Sequence, residues 1–140
     1  MTLVRQADCR RTETPNGVMT TLASPTQGGV ADLALWRVDM IPARRGPRHA
    51  ADTEQVWSCL DGAATIDLGG RKLTVGPGDT VVMPADVPRQ VVTGPDGGFS
   101  AVVTAPAGTQ VYVLPEPGEE EQPCDLAPKG DERLVPLWAR

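Results

Sequence analysis

The chain holds one histidine, His49, which is the side chain best suited to move a proton near neutral pH. Arg44, Arg45 and Arg48 gather just before it. They form either a solvated rim or a local attraction for an anion. The three cysteines, Cys9, Cys59 and Cys124, are odd in number and far apart, with no Cys-x-x-Cys spacing. That pattern predicts neither a disulfide framework nor a zinc knuckle, and it fits a reducing setting. Cys59 falls in an apolar strand pattern, where a reactive thiolate is disfavoured. Acid collects late, at Glu116 and Glu119-Glu120-Glu121, and reads as a solvated loop. A net charge of −5 argues against nucleic acid as a partner.

These groups need a scaffold. A chain of 140 residues suits one domain with one core and needs no covalent staple. Hydrophobic residues make up 40%, too many for a disordered chain and too few for a membrane protein. Apolar runs are only a few residues long, so none spans a bilayer. Met1-Thr2-Leu3-Val4-Arg5 lacks the apolar core of a secretory signal, and the expected location is cytoplasmic, with no membrane partner.

Fifteen glycines and fourteen prolines punctuate short β-like runs, the pattern of an all-β sandwich or barrel. The runs are Gly17 to Ala23, Asp32 to Ile41, Glu54 to Leu60, Ala63 to Leu68, Arg71 to Val75, Thr80 to Met83, Arg89 to Thr93, Phe99 to Thr104 and Thr109 to Leu114. Residues Thr2 to Ala7 are expected to add a further N-terminal strand. In the second run Trp36, Val38 and Met40 share one face while Arg37 and Asp39 share the other. Gly69-Gly70 accepts the positive φ of a tight hairpin turn. Residues 1–114 are read as the barrel. Residues 115–140, rich in proline and acid, are read as an extended tail anchored by Leu134, Leu137 and Trp138.

Two stretches resemble the paired signature of the cupin superfamily. The first is Gly46-Pro47-Arg48-His49-Ala50-Ala51-Asp52-Thr53-Glu54-Gln55-Val56-Trp57-Ser58-Cys59-Leu60-Asp61-Gly62. The second is Gly78-Asp79-Thr80-Val81-Val82-Met83-Pro84-Ala85-Asp86-Val87-Pro88-Arg89, ending at Thr93. Fifteen residues separate Gly62 from Gly78, which suits a compact microbial member. Usage rich in Ala, Gly, Pro and Arg resembles that of a high-GC actinobacterium. The resemblance covers about residues 31 to 106 and implies an all-β jelly-roll barrel, the double-stranded β-helix. It also implies an inward metal cage of three histidines and a glutamate, and here the ligand slots fall on His49, Ala51, Gln55 and Arg89.

Only one of the four is a strong metal ligand. Ala51 cannot coordinate, Gln55 is neutral, and Arg89 is a permanent cation. A divalent ion beside that guanidinium meets several kcal/mol of repulsion at short range. The expected site is therefore metal-free and cofactor-free. Its catalytic set is His49, Gln55 and Arg89, and its substrate-binding walls are Trp36, Met40, Trp57 and Cys59. Gln90 follows Arg89 and is expected to face outward.

In this reading Arg89 anchors a carboxylate or a developing oxyanion, His49 is the general acid or base, and Gln55 orients a carbonyl. The reaction class is cyclisation, isomerisation or dehydration of a small oxygenated metabolite, as in cupins that tailor natural products. Two alternatives remain open: a binding module without catalysis, and a metal enzyme such as a dioxygenase using His49, Glu54 and Asp52. Arg89 pairing internally with Glu54 or Asp52 would leave no anion site. Cupin relatives commonly pair, so a homodimer is expected.

Overall fold

The computed structural model describes residues 1–116 and 132–140. The described residues form eleven strands and two short 3₁₀ turns. The strands are β1 (Arg10–Thr14), β2 (Gly17–Ala23), β3 (Leu33–Met40), β4 (His49–Ala51), β5 (Gln55–Gly62), β6 (Ala64–Leu68), β7 (Arg71–Val75), β8 (Thr80–Met83), β9 (Arg89–Val92), β10 (Phe99–Pro106) and β11 (Val111–Val113). They form a six-stranded sheet in the order β1-β2-β3-β10-β5-β8 and a five-stranded sheet in the order β11-β4-β9-β6-β7. All strand pairings are antiparallel. The strand pattern predicts an all-β sandwich or barrel, and the two sheets form the jelly-roll arrangement that the family resemblance implies.

Alternation builds the core. Ala34, Trp36, Val38 and Met40 of β3 face inward with Phe99, Ala101, Val103 and Ala105 of β10. Gln55, Trp57 and Cys59 of β5 and Val81 and Met83 of β8 continue the same layer. Ile66, Val75, Val91 and Arg89 meet them from the other sheet. Buried area of this kind stabilises by about 25 cal/mol per Å² of apolar surface.

The turns follow local chemistry. Gly69 and Gly70 close the β6–β7 hairpin at φ 59° and 86°, as Gly-Gly predicts. The N-terminal expectation needs correction. Thr2 to Ala7 is not a strand; Gln6–Asp8 forms a 3₁₀ turn and the first strand starts at Arg10. A Pro15-Asn16 turn, in which Asn16 N–H donates to Thr14 Oγ1, pairs that strand with β2. No helix among the described residues is long and apolar enough to cross a membrane.

The tail divides. Glu119-Glu120-Glu121 and Cys124 lie outside the described residues. Of the expected anchors, Trp138 packs against the core. Leu134 and Leu137 keep side chains 51% and 54% exposed. Leu134 is instead held through its backbone, which exchanges two hydrogen bonds with Val111. The deepest residue of this segment is Ala139, which is fully buried.

Candidate functional site

Register places Arg89 and His49 directly opposite each other on β9 and β4, so both side chains leave the sheet on the lumen side. Four turns meet at this end of the barrel. Asp52 N–H donates to Gln110 O, and Gln110 N–H returns a bond to Asp52 Oδ1. Thr53 and Thr109 share a hydroxyl hydrogen bond of 2.6 Å. Gly69 N–H donates to Pro88 O, and Asp86 N–H donates to Ala51 O.

Arg89 is 1% exposed. Its Nη1 donates to Gln55 Oε1 at 3.2 Å and to Met83 Sδ at 3.3 Å, and its Nη2 donates to Pro84 O at 3.2 Å. Its Nε is buried without a partner. Every acceptor is neutral, and among the described residues no carboxylate pairs with this guanidinium. Burial pushes its pKa down to about 10. A buried charge left uncompensated costs several kcal/mol.

His49 Nδ1 lies 2.9 Å from Pro47 O. A carbonyl only accepts, so Nδ1 carries the proton and the neutral ring keeps its lone pair on Nε2. Burial lowers the pKa of His49 from the ordinary 6.5, opposed by the Pro47 carbonyl and reinforced by the Arg89 cation. The ring is thus an unprotonated base at neutral pH. Gln55 is buried at the start of β5, and its Oε1 also accepts from Trp57 Nε1 at 3.1 Å. One amide oxygen therefore joins the indole to the guanidinium.

Residues 36–104 match a protein family described as a cupin domain. This is a cupin domain. Solved structures of similar fold agree. The polyketide cyclase RemF from Streptomyces resistomycificus superposes with a TM-score of 0.69 and 24% identity, over 78% of this chain and 81% of that one. The DMSP lyase DddQ from Ruegeria pomeroyi gives 0.65 and 23%, over 73% and 58%. KdgF from Halomonas sp. gives 0.63 and 18%, over 76% and 94%. No curated protein matches the sequence significantly.

Cupins as a family imply a metal, and this cupin's donor set does not fit one. Of the four lumen-facing slots, His49 alone offers a strong ligand, Ala51 and Gln55 contribute no charge, and Arg89 repels a cation. Neither alternative carboxylate joins His49. Glu54 is exposed, and Asp52 holds the β10–β11 loop. Among the described residues no three His, Cys, Asp or Glu side chains converge.

The expected walls separate along the barrel axis. Trp57 donates to Gln55, which in turn accepts from Arg89. Trp36 is 2% exposed and lies level with Trp57, since both pair with Val103 of β10. Met40 pairs with Phe99 at the far end, roughly 20 Å along β3 from the Arg89 end at 3.3 Å per residue. Cys59 sits toward the same far end, and burial raises its thiol pKa. Met40 and Cys59 therefore line the core of this cupin but do not meet His49, Gln55 or Arg89.

Gln90 takes the outward face expected of it. It faces away from the lumen yet is buried, because its Nε2 donates to Gly46 O and to Glu116 Oε1, both at 2.8 Å. Arg45 reaches the same glutamate at 3.5 Å, and Arg48 donates to Pro115 O at 2.9 Å. Two of the three clustered arginines thus tie down the start of the tail. Sequence reading missed Met83, Pro84, Asp86 and Tyr112. Asp86 stands at a φ of 59°, a backbone region that glycine favours.

Proposed function

We propose that this cupin is a metal-independent enzyme for a small carboxylate-bearing or carbonyl-bearing metabolite. The observation that supports the reading is Arg89, a lumen-facing cation whose acceptors are all neutral and whose Nε is free. An anion with two oxygens satisfies Nε and one Nη together. His49 Nε2 removes a proton from the carbon next to a carbonyl. The electron pair moves onto the carbonyl oxygen, and Arg89 offsets the charge. Returning the proton elsewhere isomerises the substrate. Attack of the enolate carbon on a second carbonyl cyclises it, and loss of a β-hydroxyl with that proton dehydrates it. Trp57 offers an apolar face beside the anchor. A polyketide cyclase and a DMSP lyase among proteins of the same fold are consistent with such chemistry.

Phenylpyruvate, which joins a carboxylate, an acidic C–H and an aromatic ring, is the probe. In D₂O the protein should speed loss of its C3 proton signal in the NMR spectrum. His49→Ala should abolish that gain while calorimetric affinity for benzoate stays within about tenfold. Arg89→Met should lose benzoate binding. Benzoate binding with no proton exchange would favour a binding module, and equal affinity for benzoate and neutral benzamide would end the anion reading. The same proposal includes pairing of two chains, since β1 and β8 are open edges of the six-stranded sheet. Light scattering at the mass of a single chain would refute that part.

A further inference from the structure

Arg89 is 1% exposed, and the Pro84–Pro88 loop contributes to its cover. Pro84 O accepts from Arg89 Nη2, and Asp86 N–H donates to Ala51 O at 2.7 Å, so the loop lies along β4 above the guanidinium. Pro84, Ala85 and Asp86 themselves are exposed. Asp86 holds a left-handed φ of 59°. That conformation costs a non-glycine residue roughly 1 kcal/mol, although Asp tolerates it better than most. Something must offset the strain.

Tyr112 does so. It pairs with Ala50 in the β4–β11 register, on the face away from the lumen. Its hydroxyl donates to Asp86 Oδ1 at 2.8 Å. The ring therefore crosses β4 above Ala50, which is fully buried and small enough to allow the crossing. Arg133 lies 4.6 Å from the centre of the ring and holds it down. Three segments distant in sequence converge on one loop residue. We infer that Tyr112 is a positioning residue that latches the Pro84–Pro88 loop shut and so sets the rate at which an anion enters and leaves the Arg89 site. The inference rests on the anion reading above for its purpose. The latch itself is a property of the ligand-free protein.

Two measurements test it. Hydrogen–deuterium exchange on the protein without ligand should show amides 85–87 exchanging about fivefold faster in Tyr112→Phe, the loss of one net hydrogen bond, with β10 amides unchanged. Asp86→Asn keeps an acceptor and tolerates the backbone, and it should exchange like the parent chain. In stopped-flow mixing with benzoate, Tyr112→Phe should raise the association and dissociation rates together by about fivefold and leave Kd within about twofold. Unchanged exchange at 85–87, or an equal rise throughout β10, overturns the latch. A fall in affinity with an unchanged association rate does so too. Failure of benzoate to bind the parent protein counts against the anion reading, and the exchange result then still decides the latch.

Discussion

Replacing Arg89 with methionine removes a buried cation and keeps an unbranched chain in the same space. Such exchanges are often neutral or stabilising, by about 1–4 kcal/mol. Arg89→Met is therefore expected to raise the urea midpoint of unfolding while it abolishes benzoate binding. A variant at least 2 kcal/mol less stable, to order of magnitude, would mean that the guanidinium is structural. His49 makes a pH prediction. Its folded pKa lies below the ordinary 6.5 because desolvation of the half-buried ring disfavours its cation. Between those values the unfolded chain binds more protons, so stability falls as pH falls through that window. His49→Gln should lose less stability than the parent between about pH 7.5 and about pH 5.5, and parallel declines would refute it. That His49, Gln55 and Arg89 face the lumen together was legible, because alternation and motif spacing decide which face a residue takes. The distance of Met40 and Cys59 from that trio was not legible, because alternation says nothing about height along a barrel. Asp86 and Tyr112 were hidden because their bond joins a loop to a strand 26 residues away.

Two turn glycines separate the reasons an element needs that residue. Gly62 ends β5 at φ 72°, and a Cβ there would stand 2.0 Å from Gly98 O. Gly70 closes the β6–β7 hairpin at φ 86° with nothing within 4 Å of an added Cβ. Gly70→Ala should cost about 1–2 kcal/mol from backbone conformation alone. Gly62→Ala adds a backbone collision and should cost about twice as much or more. Thermal unfolding of both variants measures the difference, and equal losses would show that the β5–β10 junction yields. The same junction explains Leu60. The register slips between Ser100 and Ala101, so Cys59 points inward while Leu60 and Asp61 both face out. Strand pattern located most elements because each has a wet face and a dry one. It missed β4, whose Ala50 and Ala51 are too small to register as apolar runs. It also missed β1, whose outward charges hide a pairing made by the Pro15-Asn16 turn.

At the scale of the molecule, the segment 132–140 links the two sheets. It bridges to β11 at Leu134 and then lies against β1, β2 and β3. Thr21 Oγ1 donates to Trp138 O at 2.9 Å, and Arg10 Nη2 donates to both Leu137 O and Arg140 O at 2.9 Å. Trp138→Ala should cost about 3 kcal/mol, toward the lower end for a large aromatic because the ring is only partly buried. A denaturation midpoint unchanged from the parent would make this segment a surface appendage. Trp138 was legible as an anchor from its type and apolar neighbours. The exposed side chains of Leu134 and Leu137 were not, since backbone pairing rather than side-chain burial holds that stretch.

The central place of β10 reaches beyond stability. It lies between β3 and β5, with pairs such as Phe99 to Met40 and Thr104 to Val56. Until it arrives, the larger sheet exists as two separate pieces, β1-β2-β3 and β5-β8. During synthesis, those pieces must wait with bare edges until the chain has been made past residue 106. Such distant pairing puts refolding in the millisecond-to-second range common to all-β domains, and makes crowding of newborn chains the hazard most specific to this topology.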